Sequence, residues 1–105
     1  MRASASACVL VAEHDGRVVG LAVAHEHVAL NADGPVVWLE EIVVDEAVRR
    51  GGVGRALVAS VEAWAQAQGA RHVALATRRA IAFYRALGYT ETAPYVRKQL
   101  GGMAG

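Results

Sequence analysis

The stretch Trp38 to Leu57 constrains this chain most. It reads Trp-Leu-Glu-Glu-Ile-Val-Val-Asp-Glu-Ala-Val-Arg-Arg-Gly-Gly-Val-Gly-Arg-Ala-Leu. Ile42, Val43 and Val44 are β-branched and suit a buried strand. After Gly54, apolar residues recur at helical spacing, at Leu57, Val61, Trp64 and Ala65. Between strand and helix, Gly51, Gly52 and Gly54 carry no side chain, so a ligand can approach the backbone closely. The first N–H groups of a helix lack intrahelical partners and lie at the positive end of its dipole. A strand, a glycine loop and a helix start in that order make an anion site, best suited to phosphate.

Elimination narrows the kind of phosphate site. A Walker A loop needs Gly-Lys-Ser/Thr, whereas Gly54 is followed by Arg55 and Ala56. A dinucleotide fingerprint starting at Gly52 needs Gly or Ala where Leu57 stands. The run that does match is Arg-x-x-Gly-x-Gly, from Arg49 and Arg50 through Gly51, Gly52 and Val53 to Gly54. A second run, Ala80-Ile81-Ala82-Phe83-Tyr84-Arg85-Ala86-Leu87-Gly88-Tyr89, follows at a distance. With these two motifs in this order, the chain resembles the GNAT superfamily of N-acetyltransferases over roughly Val9 to Leu100.

The resemblance implies an α/β fold: a mixed twisted sheet, an antiparallel meander plus a parallel strand, with flanking helices. It implies acetyl-coenzyme A as co-substrate, with no metal. Ile42, Val43, Val44, Arg49, Arg50, Gly51, Gly52, Val53, Gly54 and Arg55 then contact the coenzyme. The resemblance further implies a primary amine on a small molecule or peptide as acceptor, acetylated by direct attack in a ternary complex.

Such a transfer has one main obstacle. An alkylamine of pKa near ~10 is neutral only about one part in a thousand at pH 7, which is worth roughly 4 kcal/mol. A carboxylate near the amine can take the extra proton. Glu40 and Glu41 lie just upstream of the coenzyme strand. Adjacent strand residues point to opposite faces, so one of them at most faces the acceptor unless a bulge intervenes. Their Leu-Glu-Glu-Ile run is similar to the Leu-Glu-Asp-aromatic run of polyamine-type members, which implies Glu40 as base and Glu41 as substrate contact. The bland alternative is an exposed strand glutamate beside a salt-bridged one. The resemblance also implies that Tyr84 donates a proton to the departing thiolate. A phenol of pKa about 10 is protonated at pH 7, although a thiol of pKa ~8.5 leaves tolerably without help. Packing on a core face beside Phe83 and Leu87 is the competing role.

Other features are weaker. His25 and His27 share one strand face without a third ligand nearby in sequence, which suits a polar sheet face or an acceptor wall better than a metal site. Cys8, the single cysteine, excludes an internal disulfide and reads as a small packed residue. Family members often carry an asparagine before Phe-Tyr; the short Thr77-Arg78-Arg79 connection leaves no room for it.

The 105 residues suffice for one core, so a single domain over 1–105 is expected, with 1–7 and 101–105 as frayed tails. A net charge of +1 gives no electrostatic case for nucleic acid or a membrane surface. No apolar run approaches the ~20 residues of a membrane span, and no secretory signal is visible. A cytoplasmic location is expected.

Strands are expected over Cys8–Glu13, Val18–Val28 and Val36–Val44, turning at Asp15-Gly16 and at Asn31 to Pro35. A helix should run from Gly51 or Gly52 to Gln68, capped by Gly69. A short parallel strand over His72–Thr77, a helix over Arg79–Leu87 and a last strand over Tyr95–Leu100 complete the order. Family members carry a strand and one or two helices ahead of the hairpin that starts here at Cys8. A chain without them has an intact coenzyme half, a doubtful acceptor half and a bare sheet face. A homodimer covering that face is therefore expected. Two function classes fit: the enzyme, and a coenzyme A-binding module or subunit whose acceptor site a partner completes.

Overall fold

The computed structural model describes residues 7–28, 34–92 and 96–101. It divides into two units, Met1–Leu75 and Ala76–Gly105.

The first unit is a four-stranded sheet in the order β1-β2-β3-β4, with β1 Ala7–His14, β2 Arg17–Val28, β3 Pro35–Val44 and β4 Val73–Ala74. The first three strands run antiparallel and β4 pairs parallel to β3, as expected. Asp15 and Gly16 both have positive φ, 53° and 76°. That is the pattern of a type I′ turn, whose twist matches the strands it joins. The expected turn at 31–35 lies mostly outside the described residues, as do 1–6 and 102–105 of the expected tails.

Helix α1, Val53–Ala67, packs on one face of the sheet. Its Leu57, Val58, Val61 and Ala65 are buried, while Trp64 is half-buried. They meet Ala22, Ala24, Val37 and Leu39, all buried from the same side. Gly20 admits the helix: a Cβ there would stand 3.0 Å from Val53 Cγ1 and 3.1 Å from Leu57 Cδ1. The helix ends in a Schellman motif: the N–H of Ala70 donates to Ala65 at 2.9 Å and that of Gly69 to Gln66 at 3.0 Å. Gly69, at φ 80°, supplies the left-handed residue this requires.

A 3₁₀ helix, Glu46–Gly51, precedes α1 and was not expected. Asp45 starts it by accepting the Ala47 N–H at 3.0 Å. The same carboxylate takes Arg17 Nη2 at 3.3 Å, tying the loop to the start of β2.

The opposite sheet face is not covered by α1. Cross-strand rows run Val11–Leu21–Val43 and Val9–Val23–Glu41 along it. Val9, Val11 and Val43 are 64%, 53% and 49% exposed, so this part of the face is an open apolar surface of the sheet unit, whereas Val36, opposite His27 at its other end, is buried.

The second unit holds α2, Ile81–Ala86. The Thr77 hydroxyl accepts the Ala80 N–H at 3.1 Å at its start. The strand expected over 95–100 is not formed: residues 96–100 adopt no regular structure, and Tyr95 lies outside the described residues. The run Val96-Arg97-Lys98-Gln99-Leu100 has apolar ends only, and both Val96 and Leu100 are exposed. No buried face rewards a strand there.

Candidate active site

The glycine loop has the local geometry of an anion cradle. Gly52 stands at φ 85°, a left-handed conformation that reverses the chain between the 3₁₀ helix and α1. It caps α1 without a side-chain hydrogen bond, and the first intrahelical bond runs from the Ala56 N–H to its carbonyl at 3.0 Å. The N–H groups of Val53, Gly54 and Arg55 precede that bond. A Cβ built on Gly51 or Gly52 would meet nothing within 4 Å, so the backbone faces open space. Arg49 and Arg55 are exposed, and Arg49 Nε also reaches the Val44 carbonyl at 3.4 Å. Arg50 sits in the 3₁₀ helix between them. Gly51 and Val53 also line a cleft of about 420 Å³ whose far wall includes Glu13, His14 and Val19.

Strand β3 leads into this loop, and among the described residues no strand pairs with the far edge of its last residues. Its pairing with β4 covers only Val37–Val73 and Trp38–Ala74. Among the described residues, Ile42, Val43 and Val44 therefore have β2 alone as a paired strand. Their outward backbone groups can pair with an extended ligand.

A bulge settles how the two glutamates face. The register of β2 and β3 slips between Val23↔Glu41 and Ala24↔Leu39, which leaves Glu40 as the extra residue. Glu41 lies opposite Val23, and Glu40 Oε1 is 3.6 Å from Nδ1 of His25, two residues along the same side of β2. Both carboxylates thus share the face that α1 leaves open, and both are exposed. His25 and His27 meet edge to face at 6.0 Å, and Trp38 lies opposite His25. The histidine contact to Glu40 was invisible in the sequence because the connection between β2 and β3 does not set their register. Among the described residues, no group of three or more His, Cys, Asp or Glu could hold a metal ion.

In the second unit, Tyr84 is buried on α2, 6% exposed, with its ring edge-on to Phe83 at 4.9 Å and to Tyr89 at 5.5 Å. Burial pushes the Tyr84 phenol up, so it is protonated at neutral pH. Burial also pushes the half-buried Cys8 thiol up, which disfavours its thiolate.

This geometry can be set beside known proteins. The model of the Acetyltransferase (GNAT) family matches residues 1–89. The chain is similar to an aminoglycoside N(6')-acetyltransferase type 1 of Stenotrophomonas maltophilia, 38% identical over 93 residues, which are 82% of this chain and 61% of that protein. It thus spans about six-tenths of the length of that relative. Among solved structures it is similar to a Trypanosoma brucei acetyltransferase at TM-score 0.81 and 29% identity, covering 95% of this chain and 73% of that one. It is also similar to AAC(6')-Iy in complex with the bisubstrate analogue CoA-S-monomethyl-acetylneamine, at TM-score 0.78 and 29% identity, covering 92% and 71% of the two chains. With residues 1–89 matched by the family model and a relative 38% identical over 82% of its length, the chain belongs to the acetyltransferase (GNAT) family.

Proposed function

We propose that this chain carries an acetyl-coenzyme A-dependent N-acetyltransferase site that acts on a primary amine of a small molecule. The observation that carries the reading is the open cradle at Gly51–Arg55, at the N-terminus of a 15-residue helix. Backbone N–H groups and the flanking Arg49, Arg50 and Arg55 suit a pyrophosphate, as a charge-assisted set. The free edge of Ile42, Val43 and Val44 suits the amide-bearing arm of the same donor. The solved complex of AAC(6')-Iy with a CoA-linked bisubstrate analogue supports this assignment.

In the reaction proposed, Glu40 takes the proton that makes the acceptor an ammonium, and Glu41 contacts the acceptor. The freed nitrogen attacks the thioester carbonyl, the C–N bond forms and the C–S bond breaks in one ternary complex. Tyr84 gives its phenolic proton to the departing sulfur, and the second proton, shed by the nitrogen as it becomes an amide, restores the phenol. No metal takes part. The names of the relatives support a small-molecule amine, and an aminoglycoside is the first acceptor to test. We take the whole chain as one functional domain and place it in the cytoplasm. A homodimer through the open face of Val9, Val11 and Val43 completes the reading.

Isothermal titration with coenzyme A, followed by an amine panel read by thiol release, tests it. A few charge-assisted hydrogen bonds of ~1.5–3 kcal/mol each suffice for micromolar affinity, about 8 kcal/mol. Gly52→Asp puts a carboxylate into the cradle and abolishes binding. A folded Gly52→Asp chain that titrates like wild type would place the site elsewhere.

A further inference from the structure

His25 is the described group in ion-pair distance of Glu40. The bulge at Glu40 turns that carboxylate toward β2, where His25 Nδ1 meets Oε1 at 3.6 Å, with the two side chains 42% and 52% exposed. An imidazole is the side chain that ordinarily changes charge between about pH 5 and 8. Among the described residues of the sheet unit, few groups surround His25. From β1 the residues opposite this part of β2 are Ala7 and Val9, neither of them titratable. From β3 they are Trp38, Glu40 and Glu41, and β2 itself adds His27. Glu26 lies opposite Val37, on the α1 side, and does not face His25.

We propose that His25 is a positioning residue whose imidazolium competes with the acceptor's ammonium for the Glu40 carboxylate, so that acceptor capture strengthens as pH rises. This rests on the reading that Glu40 receives the acceptor amine. The sign follows from charge alone. When His25 is protonated, Glu40 already has a cationic partner and a second cation gains less. When His25 is neutral, Glu40 and Glu41 present two carboxylates on one face with no paired cation among the described residues. The acceptor's own charge does not change in this window, because an alkylamine of pKa near ~10 is an ammonium throughout.

The experiment measures binding of 1,6-diaminohexane, a dication throughout this range, to the coenzyme A-loaded chain at about pH 5.5 and pH 8. Wild type should bind roughly three- to fivefold more tightly at the higher pH, the scale of one partly exposed ion pair. His25→Asn should lose most of that slope by binding well at both values. His25→Lys should bind weakly at both, since its charge persists, and Glu40→Gln should be weak and flat. A wild-type affinity without slope, an unchanged slope in His25→Asn, or no diamine binding at all would overturn the proposal. Coenzyme A titrations of the same samples separate the two readings. Coenzyme binding without a diamine slope removes His25 and leaves the acetyl-transfer reading standing. Failure of wild type to bind coenzyme A removes that reading, and the diamine slope of the unloaded chain still judges His25.

Discussion

The backbone carbonyl of Tyr84 accepts the N–H of Tyr89 at 3.0 Å, and their rings meet edge to face at 5.5 Å. With the Gly88 N–H donating to Arg85 at 3.0 Å and Gly88 at φ 96°, this is a complete Schellman motif with its hydrophobic contact. The Phe-Tyr-x-x-Leu-Gly-Tyr run is therefore a device that stops α2 and clamps the ring of Tyr84. Gly88→Ala forces a Cβ into the left-handed region and should cost about 1–2 kcal/mol. The checks are a lower urea midpoint and a lower kcat, both from a loosened Tyr84.

Tyr84→Phe separates the phenol's chemistry from the ring's packing. It should lower kcat about tenfold, below the usual range for general acid–base effects because the thiolate leaves tolerably alone. Coenzyme affinity in the titration should be unchanged. The variant also alters the alkaline limb of stability. Burial raises the folded phenol's pKa, so its contribution is full below the ordinary value of about 10 and is lost as pH rises through the raised one. Thermal unfolding between about pH 9 and 11.5 should fall less steeply in Tyr84→Phe than in wild type.

Gly20 decides how closely α1 approaches the sheet. Gly20→Val would drive its side chain into Val53 and Leu57, both already in contact distance of a bare Cβ. The overpacking should destabilise the chain by about 1–3 kcal/mol. Because Val53 opens α1 beside the glycine loop, coenzyme affinity should fall as well. An unchanged denaturation midpoint would mean that the helix yields without cost.

Asp45 holds the 3₁₀ helix with one carboxylate oxygen and Arg17 with the other. Asp45→Ala should cost about 0.5–2 kcal/mol, as a lost cap does. Arg17→Ala removes a partly exposed pair and should cost under about 1 kcal/mol, vanishing at high salt. Denaturant midpoints at low and high salt distinguish the two.

The open face sets the fifth expectation. Sedimentation equilibrium at micromolar concentration should return twice the chain mass, and Val11→Glu should return the chain mass by placing a charge in the Val11–Leu21–Val43 row. A wild-type monomer that binds no patch-sensing dye would sink the homodimer.

What could be read from the chain alone was whatever local chemistry enforces. Asp15-Gly16 dictated its hairpin because two consecutive positive φ values cost these residues little. Gly52, Gly69 and Gly88 marked helix ends because a left-handed backbone excludes most other residues there. The apolar spacing of Leu57, Val61, Trp64 and Ala65 predicted the packed face of α1, on which Trp64 alone of the four is only half-buried. Tertiary structure decided the rest. Only the pairing of β2 with β3 makes Glu40 a bulge residue, turns both glutamates to one face and brings His25 to Glu40. Register across a long connection depends on packing summed over two strands, and no local run of residues encodes that sum. The same reason undid the strand expected over 95–100: its propensity was local, whereas a strand needs a partner and a face to bury.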